Sequence, residues 1–107
     1  MDSFDKREEG FERAYSHQEE LRFKGRARRN RKLGNWAAEK LGLQGEAAQA
    51  YAAALAERQF DKPDIEALVA ELSGALENVE PKISEHRIRR RLEDFDHEAA
   101  RELQAGR

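Results

Sequence analysis

Residues 83–103 read ISEHRIRRRLEDFDHEAAREL. Within them Ile88, Leu92, Phe95, Ala99 and Leu103 recur at steps of three and four, the period of one helix face. Ser84 stands ahead of the run as an N-cap, and Ile83 before it can meet Ile88 as a hydrophobic staple. This is the clearest amphipathic helix in the chain, and it sets the fold class. Seventeen alanines, two prolines and few β-branched residues favour helix nearly everywhere, and no segment reads as a strand.

The neighbouring segments follow the same period. Ile65, Leu68, Val69, Leu72 and Leu76 form a stripe that Asn78 and Pro81 bring to a stop. Asp61 is the expected N-cap of that helix, with Pro63 in its first turn and Phe60 stapled to Ile65. Before it, Ala47, Ala48, Tyr51, Ala52 and Leu55 share a face whose small residues allow close approach. The first segment runs from Ser3 to Leu41. Gly42 suits a left-handed C′ position there, and Leu43 can fold back on Ala37 or Ala38 in a Schellman motif. The expected architecture is an all-α four-helix bundle with a mobile, partly helical N-terminal arm. The bundle domain spans 21–107, with helices at about 21–41, 46–59, 63–77 and 85–105, and the arm spans 1–20.

The division at residue 20 rests on charge and apolar content. Residues 1–21 carry seven acidic and three basic side chains, and their large apolar groups before Leu21 are Phe4, Phe11 and Tyr15. Gly10 costs such a helix up to ~1 kcal/mol relative to alanine, so the segment has little to hold it when alone. With Phe4, Phe11 and Tyr15 as anchors flanked by Arg7, Glu8, Glu12 and Arg13, it can fold on contact with a partner. The competing reading packs these aromatics on the chain's own bundle.

Composition narrows the function classes. With 107 residues, 39% charged and 38% hydrophobic, one core is the limit, and a net charge of −2 lets opposite charges compensate. A mean hydropathy of −1.00 and the lack of a long apolar run argue against membrane insertion. Met1-Asp2-Ser3-Phe4-Asp5 is not a secretory start, so the chain reads as cytoplasmic. The absence of cysteine removes disulfides, thiolate metal sites and thiol catalysis. His17, His86 and His97 form no i, i+4 pair, and no metal site is expected. With no phosphate-cradling glycine loop and no nucleophile–base arrangement, the chain reads as a non-enzyme.

Arg22, Lys24, Arg26, Arg28, Arg29, Arg31 and Lys32 follow one another with no acid between them. Such a run can neutralise phosphates, but the isoelectric point near 6.0 and the lack of interleaved aromatics argue against nucleic acid. It reads as a solvated face or a docking surface for an acidic partner. Trp36 lies on the Leu33, Trp36, Ala37, Leu41 stripe and reads as core. A secondary docking or nucleotide patch remains open at Arg28, Arg29, Asn30, Arg31, Lys32 and Trp36. Its one conceivable ligand is an adenine nucleotide; otherwise no cofactor is expected.

The run Ala27-Arg28-Arg29-Asn30-Arg31-Lys32-Leu33-Gly34, then Trp36-Ala37-Ala38, Leu41-Gly42-Leu43, Gly45 and Tyr51-Ala52, resembles the zeta inhibitor subunit of alphaproteobacterial F-type ATP synthases. The resemblance extends upstream through Phe4, Arg7-Glu8, Phe11-Glu12, Tyr15, Glu20-Leu21 and Phe23. Downstream it takes in Ser84-Glu85-His86, Ile88-Arg89-Arg90 and Leu92. It departs between Leu55 and Leu68, where this chain has the shorter Arg58-Gln59-Phe60-Asp61-Lys62-Pro63. The resemblance implies a four-helix regulatory protein whose N-terminal segment enters the ATPase head between catalytic and non-catalytic subunits near the rotor. There it would block rotation in the hydrolytic direction. It also implies a chain that sits peripherally on the inner face of the cytoplasmic membrane through the synthase. The free chain is expected to be a monomer. The reading from residues alone is broader: a small cytosolic helical adaptor, or a nucleotide sensor binding ADP or ATP through its basic helix.

Overall fold

The computed structural model describes the backbone of residues 3–61 and 64–106, and the side chains of residues 16–58 and 64–106. The chain folds as four helices: α1 (Ser3–Lys40), α2 (Gly45–Asp61), α3 (Ile65–Ala75) and α4 (Glu85–Gln104). There is no strand among the described residues.

Local chemistry fixes most of the boundaries. At the end of α1, Gly42 adopts φ +77, where a side chain would be strained. Its N–H donates to the Glu39 carbonyl at 3.1 Å, and the Leu43 N–H donates to the Ala38 carbonyl at 2.9 Å. These two bonds are the expected Schellman pair. At the start of α4 the Ser84 hydroxyl accepts the Arg87 N–H at 3.1 Å, while Ile83 and Ile88 are both buried in the same cluster. The cap is therefore formed, and both residues of the expected staple are buried in one core.

The start of α3 differs from expectation. Asp61 closes α2, and the N-cap is Asp64, whose carboxylate accepts the Glu66 N–H at 3.0 Å. This shift makes Ile65 the first helical residue instead of the fourth, ahead of the buried stripe, and it is 45% exposed. The expected partner of the Ile65 staple, the Phe60 side chain, and Pro63 both lie outside the described residues.

Helix α1 is the organising element, packing on both α2 and α4, while α3 packs on α4. One apolar cluster joins all four, built from Leu33, Trp36 and Ala37 of α1, Leu55 of α2, Leu68, Val69 and Leu72 of α3, and Ile88 and Leu92 of α4. Leu76 and Ile83, between α3 and α4, complete it. The α1–α2 contact is unusually close at Gly34. A Cβ added there would sit 2.7 Å from the Ala52 Cα, so the glycine sets the distance between the two backbones. One turn earlier, buried Asn30 donates its amide to the Leu55 carbonyl at 3.3 Å and fixes the register of the same crossing.

At 38 residues α1 is about 57 Å long and far outruns its partners. Helix α4 runs antiparallel to it and ends at Gln104, with Leu103 beside Gly25 of α1. Upstream of Leu21, α1 continues as a helix for about five turns to Ser3.

Candidate functional site

Two surfaces carry the candidate residues: the N-terminal half of α1 and the basic run that follows it. Phe4, Arg7, Glu8, Phe11, Glu12, Arg13 and Tyr15 fall on the backbone of α1, and their side chains lie outside the described residues. From residue 16 the helix surface is polar and exposed: Ser16, His17, Gln18, Glu20 and Arg22 all face solvent. Helical ion pairs line it, Glu19 with Arg22 at 2.8 Å and Glu20 with Lys24 at 3.1 Å. Leu21, 39% exposed, lines a cleft of about 480 Å³ between α1 and α4 together with Gly25, Ala100 and Leu103.

From residue 28 onward three members of the basic run, Arg28, Arg29 and Lys32, turn inward and pair with acids of α4. Lys32 donates to Glu98 at 2.8 Å and to Glu102 at 2.7 Å, and Arg28 donates to the other oxygen of Glu102 at 3.2 Å. The cause lies in spacing. Arg28 and Lys32 are four apart on α1, Glu98 and Glu102 four apart on α4, and antiparallel packing sets one pair against the other. Hydrogen bonds donated to Glu102 and then Glu98 hold the Lys32 ammonium above its ordinary pKa. Reciprocally, the hydrogen bond from Lys32, with help from Arg28, holds the Glu102 carboxyl below its ordinary value.

Arg29 and Asn30 go deeper. Arg29 is 5% exposed, and its Nη1 reaches Asp96 at 3.3 Å while Nε donates to the Asn30 side-chain oxygen at 3.1 Å. Burial lowers the Arg29 pKa, and Asp96 opposes that shift. A polar chain thus crosses the bundle, from Asp96 of α4 through Arg29 and Asn30 of α1 to the Leu55 carbonyl of α2.

Of the six residues of the candidate docking or nucleotide patch, Arg28, Arg29, Asn30 and Lys32 are engaged within the chain, and Trp36 is 7% exposed in the core cluster. Arg31 is exposed, the one member that matches a solvated face. The structure therefore gives the run a structural occupation that charge counting alone did not supply. Trp36 sits where its stripe placed it, though Arg91 accompanies it, with its guanidinium carbon 5.9 Å from the indole centroid and 4.8 Å from that of Phe95.

Sequence reasoning missed Asp96, Glu98 and Glu102 as partners of the run, and Arg91 as a partner of the aromatics. The i, i+4 acidic pair on an antiparallel helix was the signal for the first; no comparable pattern announces the second. A further tie joins α3 and α4, where Arg89 bonds Glu66 through both terminal nitrogens, at 3.0 and 2.7 Å, and Glu85 at 3.1 Å. These bonds raise the Arg89 pKa and lower that of Glu66.

No group of acidic, histidine or cysteine side chains that could hold a metal ion occurs among the described residues. Among them, too, no helix is long and apolar enough to cross a membrane. What the fold defines is a small helical protein whose central helix is clamped by charge along one half and overruns its bundle along the other. The family model described as ATPase inhibitor subunit zeta matches residues 1–102, and the chain belongs to that family. It is thus of a regulatory kind, an ATPase inhibitor, and an ATPase is the partner its family name implies. No match was found among curated proteins or solved structures.

Proposed function

We propose that this chain inhibits an F-type ATP synthase by inserting residues 1–20 at a catalytic interface of the ATPase head, between catalytic and non-catalytic subunits near the rotor. Residues 21–107 form the mount. The observation that supports this reading is the overrun of α1: its helix continues to Ser3, whereas α4 ends beside Gly25. A helix that leaves its own bundle offers a face that a partner can cover.

The inhibition needs no chemistry from the inhibitor. Hydrolysis in the head is coupled to rotation, so a helix wedged where the subunits close stops turnover by occupying the gap. Phe4, Phe11 and Tyr15 are the apolar anchors in this account. Arg7, Glu8, Glu12 and Arg13 are the charges that set orientation, and aromatic anchors in a desolvated interface carry most of the affinity. The protein is a monomer when free and reaches the inner face of the cytoplasmic membrane only through the synthase. Neither a nucleotide nor nucleic acid is part of this reading, since Arg28, Arg29 and Lys32 of the basic run are engaged with α4.

Adding the full chain to isolated synthase tests it. ATP hydrolysis falls with inhibitor concentration and the chain co-purifies with the head subunits. Undiminished hydrolysis at saturating inhibitor, with no head subunit recovered, refutes the proposal.

A further inference from the structure

The cleft between α1 and α4 exists because both helices carry small residues where they meet. Gly25 has no side chain, the Cβ it lacks would touch only the Leu103 Cδ1 at 3.6 Å, and Ala100 offers a single methyl group. Leu21, Gly25 and Arg29 recur at steps of four along α1, and Asp96, Ala100 and Gln104 at steps of four along α4, so one face of each helix lines it.

The lining combines apolar surface with an excess of positive charge. Leu21 is one of two large apolar side chains left exposed among the described residues. Arg22, Arg26 and Arg29 bring three guanidinium groups against the single carboxylate of Asp96. Arg29 is buried and reaches Asp96 at 3.3 Å, whereas the Asp96 side chain is 56% exposed. Burial lowers the Arg29 pKa and the nearby Arg26 charge adds to that shift, so Asp96 leaves the cleft short of negative charge. Arg22 also pairs with Glu19, but both side chains are exposed and such a pair holds weakly.

Position points to what covers this surface. Leu21 and Arg22 follow directly on residues 1–20, and at a rise of about 1.5 Å per residue Gly25 and Arg26 stand within about 9 Å of residue 20 along α1. A partner that encloses the arm as far as residue 20 therefore meets the cleft as well.

We infer that the cleft is a second docking site, which takes an acidic segment of the ATPase head bearing an apolar side chain. The carboxylate of that segment meets Arg22 and Arg26 on α1, and its apolar group lies against Leu21, Ala100 and Leu103. The inference rests on the proposed role of residues 1–20 and adds a contact made by the bundle itself. Because arm and cleft belong to one chain, the second contact forms intramolecularly once the first is made, and a weak contact suffices to strengthen the whole.

The test uses the full chain and isolated synthase. Ala100→Glu places a carboxylate in the cleft from an exposed position, where it takes up space and repels an acidic partner. Ala100→Gln adds a similar volume without the charge, and Leu21→Ser removes the exposed apolar group. Ile65→Ser, at the other exposed large apolar residue, is the control. Thermal melts establish that each variant is folded. Half-inhibition of ATP hydrolysis measures the contact, and a photo-crosslinking amino acid in place of Gln104 locates it by mass spectrometry of the joined peptides.

Ala100→Glu is expected to raise the half-inhibitory concentration by about tenfold or more, as like charge at a contact does. Leu21→Ser and Ala100→Gln raise it less, and Ile65→Ser stays within about twofold, as a surface change away from a contact does. The crosslink joins position 104 to a head peptide carrying Asp or Glu. Two results each overturn the inference while inhibition by the arm stands: folded Ala100→Glu and Leu21→Ser variants that both inhibit like the unmodified chain, or a crosslink that reaches no acidic peptide of the head. A chain that crosslinks there yet does not inhibit refutes the proposed function and keeps the cleft contact. A chain that does neither refutes both.

Discussion

Two glycines of α1 face neighbouring helices at different distances, and they should respond oppositely to the same methyl group. At Gly34 the added Cβ would meet the Ala52 backbone at 2.7 Å, which no rotamer change relieves. Gly34→Ala must push α2 away and is expected to cost about 1–3 kcal/mol, as overpacked cores do. At Gly25 the added Cβ would meet only the Leu103 Cδ1, at an ordinary 3.6 Å. Gly25→Ala should therefore stabilise by up to about 1 kcal/mol through helix propensity. Thermal melts of the two variants check both signs, since 1 kcal/mol moves the midpoint of a domain this size by about 4–8 °C. A raised midpoint for Gly34→Ala would show that the backbones can separate without loss. Leu92 supplies the complementary case. It is 5% exposed within the cluster, so Leu92→Ala should cost about 2–5 kcal/mol, and an unchanged melting temperature would remove the α4 stripe from the core.

Among the elements, the α1–α4 clasp makes stability depend on pH. The folded Glu102 pKa lies below its ordinary value of 4.5, so the clasp contributes fully above about that pH and is lost as the pH falls through the lowered value. Lys32 is raised above its ordinary 10.5, so its contribution holds below that value and disappears as the pH climbs through the raised one. Glu102→Gln should flatten the acid limb of the stability profile while leaving the helical circular dichroism at pH 7 intact. An acid limb identical to wild type would mean that other carboxylates carry it. Periodicity made the elements legible: the Gly42 turn, the Ser84 cap and the stripes of α3 and α4 need only local geometry. The Asp61 cap failed because two acids three residues apart flank Pro63, and sequence alone did not rank them. The clasp stayed hidden for another reason. A run of like charge looks solvated until the facing helix is known, and the facing acids stand about seventy positions away.

For the whole molecule, the division between a helical mount and an overrunning helix is the claim on which function depends. Its mount was readable from apolar stripes, and its family from the motifs around residues 27–52 and 84–92. The bonds that Arg28, Arg29, Asn30 and Lys32 make were not readable from either, because they depend on where α4 and, for Asn30, α2 lie. At this scale Phe11→Ala should weaken inhibition by about 2 kcal/mol or more if Phe11 is a buried interface anchor, with the bundle unaffected. A loss of under twofold would remove Phe11 from the interface. Deletion of residues 1–19 tests the division most directly. The truncated protein keeps every residue of the core cluster and every bond of the clasp, so its circular dichroism and melting temperature should show an intact bundle. Titrated against ATP hydrolysis by isolated synthase, it should fail to inhibit at concentrations where the full chain is saturating. A truncated protein that is folded and inhibits at the full chain's concentration would place the inhibitory surface in the bundle and contradict the account.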